Sequence, residues 1–126
     1  MQQQPRLLIT DDDTSVRKVL TRWFEYQGFS VDEAENGRIA VEKCSRERYD
    51  VVTMDNDMPV MNGEEAIREI KALNPTLPIV VYSGGVHIAG GYGNGQVFCV
   101  LQKPMSVTIL EMEVRRAMDN VHQAVE

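Results

Sequence analysis

Apolar and polar positions along this chain follow two different rhythms, and the switches between them divide it into strands and helices. Arg6 to Thr10 is a short apolar run that stops against three aspartates, as a buried strand does where carboxylates must leave the core. From Thr14 the apolar residues Val16, Val19, Leu20, Trp23 and Phe24 recur at helical spacing, which puts all five on one face, and Gly28 stands where a C-terminal cap belongs. Phe29 to Ala34 alternates with a period of two. Asn36-Gly37 then opens a second helical stretch with Ala40, Val41 and Cys44 in its stripe. A third unit starts at Tyr49, runs through Val51 to Met54 and breaks at Asp55. After the loop containing Pro59 and Gly63, a helix carries Ala66, Ile67, Ile70 and Leu73 and is closed by Asn74-Pro75. Pro78 to Tyr82 is the most apolar run, which predicts a strand covered on both faces. A last strand is expected over Val97 to Leu101, and the final helix carries Val107, Leu110, Val114, Met118 and Val121.

Strands alternating with helices predict an α/β fold: a five-stranded parallel sheet joined by right-handed crossovers, with helices on both faces in three layers. One stretch breaks the rhythm. Gly84 to Gln96 holds six glycines in thirteen positions, and each glycine inside a helix costs about 1 kcal/mol relative to alanine. The helix due between the fourth and fifth strands is therefore expected to be shortened or replaced by a mobile Gly-rich loop.

Length and charge narrow the picture. A chain of 126 residues supports one sizeable core, so a single domain over residues 1–126, with its core at about 5–124, is expected. A formal net charge of −6 gives a surface that repels a phosphate backbone, so nucleic-acid binding is not expected. The N-terminus is polar and no apolar run approaches the roughly 18 residues that span a bilayer; no membrane insertion and a cytoplasmic location are expected. Cys44 and Cys99 lie far apart in apolar-patterned segments without metal-type spacing and are read as buried thiols.

The candidate chemistry gathers where such a sheet keeps it, at the carboxyl ends of the strands. Asp11, Asp12 and Asp13 end the first strand, Asp55 the third, Ser83 the fourth and Lys103 the fifth. Crowded carboxylates repel one another unless a cation neutralises them, and a hard ion such as Mg2+ suits an oxygen set that leaves positions for phosphate oxygens. With the metal, Asp55 can act as ligand and nucleophile, while Lys103 and the Ser83 hydroxyl neutralise phosphoryl oxygens. Alone, each residue has an ordinary reading: the aspartates as helix caps, which Asp13 is expected to be, Asp55 as a turn residue, Ser83 as a strand hydroxyl and Lys103 as a solvated surface lysine.

In order and spread over nearly the whole chain, the stretches LLITDDD, YDVVTMDNDMPVMNG, PIVVYSGG and VLQKP resemble the receiver domain of bacterial two-component systems, typified by the chemotaxis response regulator. The resemblance implies a flavodoxin-like doubly wound (βα)5 fold and a phosphoacceptor switch rather than an enzyme. It implies Asp11 and Asp12 as the acidic pair, Asp55 as phosphoacceptor, Ser83 as switch hydroxyl, Lys103 as the phosphoryl-binding lysine and the backbone carbonyl of Asp57 as a further ligand of Mg2+, with Mn2+ as an alternative. The implied phosphodonor is a histidine kinase or histidine phosphotransfer protein, the output is a contact with a downstream protein or onward phosphotransfer, and a phosphorylation-dependent dimer is compatible with it. Single-domain receivers with a reduced fourth helix and hybrid-kinase receivers are the subgroups it resembles.

Two positions depart from the family pattern. Three residues before the lysine most receivers carry an aromatic, here Val100; Phe98 is expected on the same sheet face by the period of two. At the position that tunes phosphoryl lifetime stands Asp57, whose carboxylate is expected to assist the attacking water and shorten that lifetime. Two rival functions are weighed. Asp55-Asn56-Asp57 has the D-x-D form of haloacid-dehalogenase-like phosphatases, but there the motif ends the first strand. A pseudo-receiver docking module usually lacks some of the acids, the acceptor or the lysine, all of which are present.

Overall fold

The computed structural model describes residues 4–56, 58–84 and 97–125. Five strands and four helices are found among them. They are β1 (Arg6–Thr10), α1 (Thr14–Tyr26), β2 (Ser30–Ala34), α2 (Gly37–Arg46), β3 (Val51–Met54), α3 (Gly63–Leu73), β4 (Ile79–Ser83), β5 (Cys99–Gln102) and α4 (Val107–Val125). All strand pairs are parallel, in the order β2-β1-β3-β4-β5. The order reverses between β1 and β3, and at such a switch point a doubly wound sheet opens a crevice at its carboxyl edge.

Strand alternation divides the interior into two cores. Leu8, Val52, Met54, Ile79 and Val81 meet Ala40, Ala66, Ile67 and Ile70 of α2 and α3. Leu7, Ile9, Val51, Val80 and Tyr82 meet Leu20 and Phe24 of α1 and Leu110, Val114 and Ala117 of α4. The helices begin on side-chain caps as their sequences suggest: Asp13 accepts from the N–H groups of Ser15 and Val16, Asn36 from Ile39 and Asn62 from Glu65. Gly28 follows α1 with φ +99°, the left-handed conformation that favours glycine there.

Four expectations need correction. Val19 is 59 % exposed, because it lies about 100° around the helix from Leu20, outside the buried arc of α1. Leu73, the last residue of α3, is 51 % exposed. Cys44 and Cys99 are half-buried rather than buried, though burial still pushes both thiols up to about 11. The last strand is Cys99–Gln102, later than expected. Phe98 therefore precedes it, and the period of two does not reach it. Phe98 packs with the α1–α4 core and Val100 with the α2–α3 core, on opposite sides of the sheet. Residues 85–96, most of the segment expected as a mobile loop, lie outside the described residues.

Candidate functional site

β1 and β3 run side by side, with Thr10 opposite Met54 in register, so Asp11 and Asp55 leave the sheet next to each other. The Asp55 N–H donates to the Thr10 carbonyl at 3.0 Å, continuing the ladder past both strand ends. Asp11 and Asp55 are buried, at 2 % and 5 % exposure, whereas Asp12 is exposed. One carboxylate oxygen from each of Asp11, Asp12 and Asp55 lies within 4.8 Å of the other two.

Asp11 is held at several points. Its N–H donates to the Ala34 carbonyl at 3.1 Å, its Oδ1 accepts from the Asp13 N–H at 2.9 Å, and its Oδ2 accepts from Lys103 Nζ at 2.6 Å. Lys103 Nζ also stands 3.8 Å from Asp55 Oδ2 and 5.4 Å from the centre of the Tyr82 ring, a cation–π distance. Burial pulls the Lys103 ammonium down, but the hydrogen bond to Asp11 and the charges of Asp55 and Asp11 outweigh it and hold the group above its ordinary range. Lys103 is thus a fixed cation facing two buried anions. Its backbone N–H donates to the carbonyl of Ser83, which is fully buried at the end of β4; the Lys103-Pro104 peptide that follows is cis.

The loop from β3 to α3 closes tightly on the end of β3. The Gly63 N–H donates to the Asn56 carbonyl at 3.1 Å, and a Cβ on Gly63 would lie 2.6 Å from the Asp55 carbonyl oxygen. Val60 in the same loop holds φ 73°, an uncommon conformation for a β-branched residue and of the kind that clusters near functional sites.

The predicted residues Asp11, Asp12, Asp55 and Lys103 are therefore brought together, Ser83 is placed beside Lys103, and Asp13 is the cap it was expected to be. Asp57 lies outside the described residues, and so do the carbonyl ligand and lifetime role expected of it. Two charged residues that the sequence did not single out, Arg17 and Glu33, reach the site from behind: Arg17 Nη1 donates to the Asp11 carbonyl at 2.8 Å and Arg17 Nε to Glu33 Oε1 at 3.0 Å. The available signal was an arginine one turn after the Asp13 cap and an acid inside an alternating strand.

The three carboxylates suit a hard divalent cation. Their donor set is all oxygen, two of the three are buried, and the single ammonium of Lys103 cannot neutralise them all. An open cavity of about 420 Å³ lies elsewhere, lined by Arg6, Asp32, Lys43, Arg46, Glu47 and Tyr49. Its central groups pair with one another, Arg6 with Asp32 at 3.1 Å and Glu47 at 3.0 Å, and Tyr49 with Asp32 at 2.7 Å. It contains none of the carboxylates described above.

Comparison with known proteins places this geometry. The family model of the response regulator receiver domain matches residues 7–115. The chain is 46 % identical over 79 residues to the chemotaxis protein CheY of Thermotoga maritima, covering 62 % of this chain and 66 % of that protein. It is 38 % identical over 76 residues to the response regulator MprA of Mycolicibacterium vanbaalenii, covering 60 % of this chain and 33 % of that one. In both cases the matched part is less than two thirds of the relative. A CheY-like receiver domain from Methanospirillum hungatei superimposes with a TM-score of 0.92 at 21 % identity, over 96 % of this chain and 98 % of that one. The response regulator TrrA of Thermotoga maritima, in complex with Mg2+ and BeF, superimposes with a TM-score of 0.84 at 25 % identity, over 90 % and 99 %.

Proposed function

The chain belongs to the response regulator receiver domain family, the phosphoacceptor switches of two-component systems, and from that premise we propose that Asp55 is the carboxylate that accepts the phosphoryl group. The observation that carries the assignment is the arrangement around it: a buried carboxylate beside those of Asp11 and Asp12, with the Lys103 ammonium 3.8 Å away.

Asp11, Asp12 and Asp55 would hold Mg2+, or Mn2+ in its place, and the ion would supply charge neutralisation for the phosphoryl oxygens. An Asp55 carboxylate oxygen attacks phosphorus in line. The bond from phosphorus to the donor breaks, and its electron pair leaves with the donor atom, giving an acyl phosphate. Lys103, whose Nζ stands 3.8 Å from Asp55 Oδ2, pairs with the new negative charge. The Ser83 hydroxyl donates to a phosphoryl oxygen, and the shift of Ser83 and Lys103 carries the change into the strands behind them. Hydrolysis of the acyl phosphate resets the switch.

The donor is a histidine kinase or a histidine phosphotransfer protein, and the output is a protein contact. A pseudo-receiver reading is disfavoured by the charged set being complete and assembled. The test is incubation with acetyl phosphate and Mg2+, followed by intact-mass measurement. One phosphoryl group is expected on the wild type and none on Asp55→Asn or without Mg2+; full uptake by Asp55→Asn sinks the assignment.

A further inference from the structure

The three carboxylates differ in what keeps them in place. Asp11 is tied by Lys103 and by the Asp13 N–H, and Asp55 is buried. Asp12 is exposed, so burial does not hold its side chain, and the backbone that carries it sets where that side chain starts. That backbone is held on both sides of Asp12: the Asp13 N–H donates to Asp11 Oδ1 at 2.9 Å, and the Asp11 carbonyl oxygen, part of the peptide plane joining Asp11 to Asp12, accepts from a side chain. The donor is Arg17 Nη1 at 2.8 Å.

Arg17 is itself immobilised. Its side chain is 11 % exposed, its Nε donates to Glu33 Oε1 at 3.0 Å, and its Nη2 lies 3.4 Å from Thr14 Oγ1. Glu33 is secured in turn: its other oxygen accepts from Thr21 Oγ1 at 2.9 Å and Lys18 Nζ at 3.2 Å, and its backbone carbonyl accepts from Lys43 Nζ at 2.6 Å. Glu33 lies opposite Ile9 in the β1–β2 register, two residues before Asp11. The planar guanidinium fork makes both contacts in a fixed geometry that a flexible lysine with its compact ammonium does not reproduce.

We propose that Arg17 is a positioning residue for the cation site: it fixes the Asp11–Asp12 peptide plane so that the Asp12 carboxylate converges with those of Asp11 and Asp55, while Glu33 cancels its charge. This rests on the reading of those three carboxylates as the Mg2+ site. Cancelling the charge matters because an unpaired guanidinium beside the site would oppose a divalent cation.

The two roles open to Arg17 predict opposite signs. If it acted through charge alone, Arg17→Ala would remove a cation from beside the site, leaving Glu33 paired with Lys18, and would tighten Mg2+ binding. As a positioning residue its loss weakens binding, and removal of groups that orient ligands from behind costs about 10- to 100-fold in metal affinity.

The experiment is calorimetric titration with Mg2+ alone, paired with the Mg2+ dependence of phosphoryl uptake from acetyl phosphate. For Arg17→Ala we expect the Mg2+ dissociation constant and the half-saturating Mg2+ to rise about tenfold or more, with the rate at saturating Mg2+ near that of the wild type. The charge-balanced double variant Arg17→Ala with Glu33→Gln should weaken to the same degree, and Arg17→Lys should fall between. Unchanged or tighter Mg2+ binding in Arg17→Ala, or recovery of wild-type affinity in the double variant, overturns the proposal. If Arg17→Ala fails to fold, Arg17→Lys decides: wild-type affinity there overturns it too. A wild type that binds no Mg2+ would instead overturn the reading of the site, so the two failures are told apart.

Discussion

Gly63 begins α3 hard against Asp55: a Cβ there would meet the Asp55 carbonyl oxygen at 2.6 Å and the Asn56 Cα at 2.9 Å, both backbone atoms with little freedom to yield. Gly63→Ala is expected to cost about 1–3 kcal/mol as overpacking and to slow phosphoryl uptake by shifting Asp55. Thermal unfolding and uptake kinetics check the two effects, and wild-type uptake would show that the loop absorbs the methyl group elsewhere. At this scale the sequence was legible where a residue type has few alternatives. Asp11, Asp12, Asp55 and Lys103 were readable because they stop apolar runs at the same end of β1, β3 and β5. Arg17 and Glu33 were not, because a charged residue on an amphipathic helix or half-exposed strand looks the same whether solvated or bridging. Val19 and Leu73 misled for the converse reason: helical spacing tells which residues can share a face but not how wide an arc the neighbours cover.

Glu33 ties β2 to α1 through Arg17, Lys18 and Thr21, and its carbonyl ties β2 to α2 through Lys43. Burial raises its pKa, but the hydrogen bonds from Thr21, Arg17 and Lys18 outweigh that, and the folded carboxyl lies below its ordinary 4.5. A lowered folded pKa means that the unfolded chain binds the proton more readily. The stabilisation is therefore present above the unfolded value and is lost as pH falls through the folded one. Unfolding midpoints measured from about pH 6 to about pH 3 should fall more steeply for the wild type than for Glu33→Gln, with the two converging at the acid end; parallel curves would remove Glu33 from the linkage. The elements themselves were readable because each has its punctuation: Asp13, Asn36 and Asn62 as caps, Gly28 after α1, Asn74 after α3. The edge strand β5 was the exception. Half-buried at Cys99, Val100 and Leu101, it starts later than its apolar run, and the Phe98 N–H to Ile79 carbonyl bond at 2.8 Å marks where pairing begins.

Across the whole molecule, the site is made of groups far apart in sequence; Lys103 and Asp11 are separated by 92 positions. Such a site exists only when β1, β3, β4 and β5 are all in place, so a ligand that binds it stabilises global folding rather than a local segment. Mg2+ with beryllofluoride is expected to raise the unfolding midpoint by several degrees in the wild type and not in Asp55→Asn, as read by thermal melts with and without both salts. An equal rise in Asp55→Asn would place the ligand elsewhere. The sheet that carries the site also sorts what arrives there. By strand alternation Ser83 shares the side of Ile79 and Val81, whose core belongs to α2 and α3, as does that of Val100, paired with Val81 across the register. Lys103 reaches over Tyr82, whose core belongs to α1 and α4. Ser83 and Lys103 thus lie toward opposite sides of one partition. Under the proposed function, a pull on the hydroxyl would be delivered to one helix layer and a pull on the ammonium to the other, so that a single event would reach two separately wired faces.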